Sequence, residues 1–148
     1  LLAAVLQQQL RAVGIALDIR TYEFATFLYD VMHGSFQVFS LRWAGGNQDP
    51  DIFAYCFSSS KFPPNGANRG FYSNPRVDAL IDQAQRELDQ SARKQIYAEI
   101  QAILAEQVPY IDLWYQDNVI VHSRRVTNIK MNSSGSYDFL RTAEINQQ

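Results

Sequence analysis

The chain has 148 residues, 47% hydrophobic and 19% charged, with a formal net charge of −2, and a chain of this size buries roughly two thirds of its unfolded-state surface as one domain. Lys and Arg are scattered along it, with none of the basic stripe that a nucleic-acid backbone requires, so nucleic acid is not an expected partner. Cys56 is the only cysteine, which excludes an internal disulfide framework and any multi-cysteine metal site.

The opening "LLAAVL" runs into "QQQL", far short of the roughly 20 apolar residues that cross a bilayer and without the basic leader of a signal peptide. Beginning without Met, in what reads as mid-helix, the chain is expected to be an excerpt of a longer protein. Leu2, Val5, Leu6, Leu10 and Val13 fall at helical spacing before Gly14, predicting a helix over 1–13. "IALDIRTY" alternates apolar and polar residues like a strand with one covered face. "EFATFLYDVMHGS" places Phe24, Phe27, Leu28, Val31 and Met32 on one helical face, closed by Gly34, and "FQVFSLRW" predicts a second strand.

Next comes "AGGNQDPDIFAYCF", in which Asp49 suits an N-cap, Pro50 the first helical position and Asp51 the first turn. Cys56, inside that short helix, reads as a small buried apolar residue. "SSSKFPPNGANRG" is a polar loop without period. Asn74 caps and Pro75 opens a helix with a buried stripe of Val77, Leu80, Ile81, Ala84 and Leu88, and Asp89 or Ser91 begins another carrying Ile96, Ile100, Ile103 and Leu104, ended by Pro109. "PYIDLWYQDNVIVHS" predicts one or two strands and "VTNIKMN" a short one. The order argues an α/β domain, a mixed sheet covered by helices.

Catalytic sets are poorly supported. His33 and His122 stand 89 positions apart with no HExxH, triad or glycine-elbow context, and each reads as a surface or capping residue. Asp49 and Asp51 offer in principle a carboxylate pair for hydrolase chemistry, but the helix start is their simpler use and by itself explains "DPD". The glycines of "AGGN" lack a phosphate-loop pattern and suit a tight turn or a close backbone approach. Trp43, closing a strand, is placed equally well to flank a ligand or to join a core. Trp114 and Tyr115 end another strand, where open α/β sheets collect ligands, so the two aromatic groups are candidates for one crevice.

"LQQQLRAVGIALDI", a Trp followed by "DPDIF", then "NRGFYSNPRVDALIDQA" and "RKQIYAEIQAILAEQVPYIDLWY" together resemble the C-terminal part of family 5 extracellular solute-binding proteins of bacterial ABC transporters, the dipeptide, oligopeptide and nickel group. The resemblance implies the C-terminal lobe of a two-lobed type II periplasmic-binding-protein fold, with residues 1–122 forming most of that lobe. Residues 123–148 would be a hinge return segment that packs on the N-terminal lobe. It further implies a solute held between lobes and delivered to a membrane permease, with no bond made or broken and no cofactor or metal. The expected compartment is the periplasm, or the outer face of the membrane by an anchor in a Gram-positive host.

Carried over residue by residue, Trp43 matches a pocket tryptophan, and Trp114 or Tyr115 an aromatic region that faces ligand. Asn68 and Tyr72 match a loop of structural role. The backbone of Gly45, Gly46 and Asn47 is expected to supply hydrogen bonds. Peptide-binding relatives carry an Asp three residues after the Trp that holds the peptide amine; here Ala44, Gly45 and Gly46 follow Trp43. Such a charge-assisted bond is worth about 1.5–3 kcal/mol, and Asp49 replaces it only if the loop refolds. The expected ligand is therefore a peptide-like or other small organic solute, with a sugar or metal chelate as the alternative.

Overall fold

The computed structural model describes residues 2–43, 49–115 and 117–146. Its chain contacts divide it into two units, Leu1–Phe39 and Ser40–Gln148. In the first, α1 (Leu2–Ala12) ends where Gly14 takes φ +84°, a conformation that costs glycine nothing. The reversal is closed by the Ile15 amide donating to the Leu10 carbonyl at 2.9 Å, and Gln7 Nε2 donates to the Leu17 carbonyl at 2.7 Å. Helix α2 (Phe24–Met32) starts on Glu23, whose carboxylate accepts from the Ala25 and Thr26 amides at 2.8 and 3.3 Å. Val31 is its one buried side chain. His33 is the C-cap, its Nδ1 lying 2.7 Å from the Tyr29 carbonyl with its ring stacked on that of Tyr29. It is a capping residue, as its position predicts.

The second unit is built on three helices, α3 (Ile52–Phe57), α4 (Pro75–Arg86) and α5 (Gln90–Gln107), with α4 packed against both others. Its core is Ala54 with Val77, Leu80, Ile81 and Ala84 of α4 and Ile96, Tyr97, Ile100 and Leu104 of α5. Burying each large aliphatic side chain contributes about 1.5–3 kcal/mol relative to leaving it in water. Asn74 caps α4, accepting from the Arg76 and Val77 amides at 2.9 and 3.3 Å, and Asp89 caps α5 through the Ala92 amide at 2.8 Å. Leu88 does not join the expected stripe and is 95% exposed. Glu87 already turns extended, so α4 stops at Arg86 and Leu88 sits between one helix end and the next cap, out of helical phase.

Helix α5 ends with Val108 in the left-handed region at φ 47°. A β-branched residue is seldom found there, and the following Pro109 forbids helical continuation. Between α3 and α4 the loop is organised by Asn68, wholly buried. Its Nδ2 donates to the Ser58 and Tyr72 carbonyls at 3.0 and 2.7 Å, and its Oδ1 accepts from the Tyr72 amide at 2.9 Å. The structural role expected of Asn68 and Tyr72 is thus a direct mutual clasp. Gly66 is required in the same loop, because a Cβ there would stand 2.5 Å from Lys61 Cβ and 2.6 Å from its carbonyl oxygen.

Among the described residues the only sheet is a two-stranded antiparallel one, β1 (Val126–Thr127) with β2 (Glu144–Ile145), Val126 opposite Ile145. Helices with a small sheet make this an α/β piece, as the element order predicts, but the strands expected at "IALDIRTY", "FQVFSLRW" and "PYIDLWYQDNVIVHS" form no ladder. Alternation marks a face that can be covered; a strand exists only once a neighbour takes up its backbone hydrogen bonds, and these segments find none within the described chain. The short strand expected at "VTNIKMN" is real for two residues. It pairs inside the 123–148 region, where Asn146 also donates to the Arg125 carbonyl at 2.8 Å.

Candidate functional site

Three side chains of the second unit form a patch around Trp43. The Arg69 guanidinium carbon lies 5.0 Å from the centre of the Trp43 ring, within cation–π range. Trp43 meets Tyr55 edge to face, centroids 6.1 Å apart at 75°, a favoured arrangement for two aromatic quadrupoles. Trp43 remains 37% exposed and Tyr55 48%, so the patch is anchored yet open to solvent. Tyr55 is on α3 directly after the buried Ala54, and Arg69 directly follows the buried Asn68. Each exposed group is therefore set by a fixed neighbour.

Two titratable groups feel the Arg69 charge, the buried Cys56 and the half-buried Tyr110. Burial pushes the Cys56 thiol up to about 11 and the Tyr110 hydroxyl to about 12, with the Arg69 charge pulling both the other way. Tyr110 also holds the loop from below, its hydroxyl donating to the Ala67 carbonyl at 3.4 Å. Cys56 is buried, as its apolar context predicts.

Asp49 does not cap α3. That helix begins at Ile52 with Asp51 as N-cap, and Asp51 makes no side-chain capping bond. The Asp49 carboxylate accepts instead from the Asp51 amide at 3.0 Å and, through both oxygens, from the Arg93 guanidinium at 2.8 Å each. The bidentate fork is the stronger of the two contacts. Arg93 in turn lies 5.3 Å over the Tyr97 ring and donates from Nε to the Ala84 carbonyl at 3.2 Å, so it joins the start of the α3 segment to α4 and α5. The Arg93 hydrogen bonds hold the Asp49 carboxyl below the ordinary carboxylate range, which makes it a poor proton donor near neutrality for the hydrolase alternative.

Gly45, Gly46 and Asn47 lie outside the described residues. Trp114 and Tyr115 are strongly exposed on the extended stretch after α5, and among the described residues no ring contact links them to Trp43. His122 is at the surface, its Nδ1 3.0 Å from the Ser123 carbonyl. Arg69, Tyr55 and Arg93 were not singled out from the sequence. The exposure of Tyr55 is readable in principle, since it is one position off the buried Ala54. The pairing of Arg93 with Asp49 spans 44 positions and has no local signature.

The profile described as "Bacterial extracellular solute-binding proteins, family 5 Middle" matches residues 1–64. Di/tripeptide-binding protein 4 of Pseudomonas aeruginosa is 30% identical over 143 residues, 97% of this chain and 27% of that protein. Glutathione-binding protein GsiB of Escherichia coli is 26% identical, over 90% of this chain and 27% of its own length. Among solved structures, the periplasmic binding protein DppA of Helicobacter pylori, in complex with the peptide STSA, superposes with a TM-score of 0.79 at 26% identity, covering 98% of this chain and 28% of that one. The chain thus spans little more than a quarter of the proteins it matches, and over that span its fold is that of a periplasmic binding protein. The profile, the relatives and the superposition agree in one likeness: over nearly its whole length this chain is similar to bacterial extracellular solute-binding proteins of family 5.

Proposed function

We propose that the protein carrying this chain is the solute-binding component of an ABC importer, and that this chain contributes part of one lobe of its binding cleft. The observation that carries the reading is the Trp43–Tyr55–Arg69 patch. It is an open aromatic surface on a buried helical core, in a chain whose backbone follows a peptide-bound periplasmic binding protein. Capture is by closure of a second lobe over the solute, and the captured solute is handed to a membrane permease.

Peptides or peptide-like solutes are favoured over sugars and metal chelates, because relatives named for di- and tripeptides and for glutathione match nearly the whole chain. In this reading Trp43, Trp114 and Tyr115 supply apolar contact, the Gly45–Asn47 backbone supplies hydrogen bonds, and Asp49 orients the end of that loop through Arg93. Residues 1–122 belong to the C-terminal lobe and 123–148 to the return through the hinge. The compartment is the periplasm, or the cell exterior in a host without one.

A thermal-shift screen of the full-length protein against di- and tripeptides, glutathione, sugars and metal chelates tests this. A ligand at a hundred times its Kd stabilises by about 2.7 kcal/mol, so a cognate peptide produces a clear rise in Tm. A rise with sugars or chelates and none with peptides overturns the ligand class. Turnover of a bound compound overturns the transport reading.

A further inference from the structure

We propose that Asn65 and Gly66 form a self-modifying site, at which the folded loop between α3 and α4 converts the Asn65 amide into an acid through a cyclic imide.

The chemistry needs an asparagine followed by a residue whose backbone nitrogen can reach the side-chain carbon. A Cβ on the following residue stands in the way, so glycine is the most permissive neighbour. The chain holds eight asparagines, and Asn65 alone precedes a glycine. Asn65 is exposed to water, and the contact it makes through its backbone, its amide donating to the Phe62 carbonyl at 2.9 Å, leaves the side chain out of the turn. Asn68 in the same loop is the contrast, wholly buried with its side-chain amide tied by three hydrogen bonds.

The packing of the loop also keeps the reactive pair together. A Cβ at Gly66 would stand 2.5 Å from Lys61 Cβ and 2.6 Å from the Lys61 carbonyl oxygen. The residue after Asn65 is therefore held to glycine by its contact with Lys61, and the exposed asparagine is left beside the one neighbour that does not shield it.

In the reaction the Gly66 backbone nitrogen attacks Cγ of Asn65. The new N–C bond closes the imide, the Cγ–Nδ2 bond breaks, and ammonia leaves with the proton given up by the Gly66 N–H. Solvent water then adds to either imide carbonyl. Opening at one C–N bond gives aspartate. Opening at the other gives isoaspartate, whose main chain runs through the former side chain and is longer by one C–C bond, about 1.5 Å.

That added length falls between fixed points. Before it, the Asn65 amide is held by Phe62; after it, the Ala67 amide donates to the Tyr55 carbonyl at 3.1 Å and the Asn68 amide to the Lys61 carbonyl at 3.0 Å. The isoaspartate form loosens the tie between this loop and Tyr55, whereas the aspartate form adds a negative charge and keeps the main-chain length.

The test is incubation of the full-length protein at mildly alkaline and mildly acidic pH, folded and in urea, followed by peptide mapping with mass spectrometry. In the folded protein at alkaline pH, the peptide containing Asn65 is expected to show the amide-to-acid mass shift before any other asparagine of these 148 residues. It should resolve into aspartate and isoaspartate forms, and conversion should lag in acid, where the attacking nitrogen keeps its proton. Asn65→Gln, which leaves the Gly66 contact with Lys61 in place, removes the fast conversion. Another asparagine converting first, conversion in urea but not in the folded protein, or conversion in neither overturns the site. The isoaspartate species, separated by chromatography, is expected to be cut faster by protease within 58–72 than Asn65→Asp, which carries the charge without the added length. Equal cutting rates overturn the loosening of the loop while leaving the site itself standing.

Discussion

The α3–α5 block and the stretch that follows it, from Tyr110 to Val121, are both rich in apolar side chains, and they treat them in opposite ways. In the block, Val77, Leu80, Ile81 and Ile100 are essentially removed from water. In the stretch, Ile111, Leu113, Trp114, Tyr115, Val119 and Val121 all stand exposed. The difference is in who satisfies the backbone. A helix closes its own hydrogen bonds and needs only caps at its ends, which Asn74 and Asp89 provide. An extended segment must borrow its partners from a neighbouring strand, and this one has none among the described residues.

The sharpest way to separate the two regions is to remove methyl groups from each. Ile100→Ala should destabilise by about 2–5 kcal/mol in denaturant unfolding. Val121→Ala should cost far less in the 148-residue chain, and measurably more in the full-length protein if a strand from the remaining sequence covers it. Equal costs in the two contexts would show that the stretch stays uncovered.

Next in size is the loop that joins α3 to α4. Asn68→Leu keeps the volume but strands the Ser58 and Tyr72 carbonyls and the Tyr72 amide, at about 1–3 kcal/mol for each group left without water. Increased proteolysis within 58–72 is the expected readout. Asp89→Ala should lower stability by about 1 kcal/mol through loss of the α5 cap, measurable as a fall in Tm with α5 otherwise intact by hydrogen exchange.

A smaller and pH-dependent effect belongs to Asp49. Its carboxyl is held down in the folded state by Arg93, so the pair stabilises above the unfolded carboxylate range. That contribution disappears as pH falls through the folded value. Asp49→Asn should therefore melt below the wild type at neutral pH and together with it in acid. The smallest expected change is at the junction of the two regions: Val108→Gly relieves a left-handed β-branched residue and should be neutral to stabilising by up to about 1 kcal/mol.

The helices were legible because their signals are local. Stripe spacing and the Asn74-Pro75 start foretold α4, and Asp89 was one of two stated starts for α5. Leu88 was misplaced because periodicity says nothing of the cap that interrupts it. The strands were only half legible, since alternation predicts a coverable face and pairing is non-local. The site shows the same divide. Trp43 could be named from its position, whereas the partners that define its environment, Tyr55 and Arg69, stand 12 and 26 positions later in the chain and meet it only through the fold. Asp49 looked like a cap by every local rule, and an arginine 44 residues away claimed it.

Cys56 has a practical consequence. It is the sole thiol in these 148 residues, buried next to Tyr55 in the chain, with its pKa pushed up to about 11 by burial. A thiol reagent can reach it only when α3 lifts from the core, so the labelling rate is a clock for that opening, available without introducing any probe. If solute settles on Tyr55 and Trp43 and holds α3 down, the clock slows with ligand concentration, and occupancy becomes readable from the chemistry of a single sulfur atom.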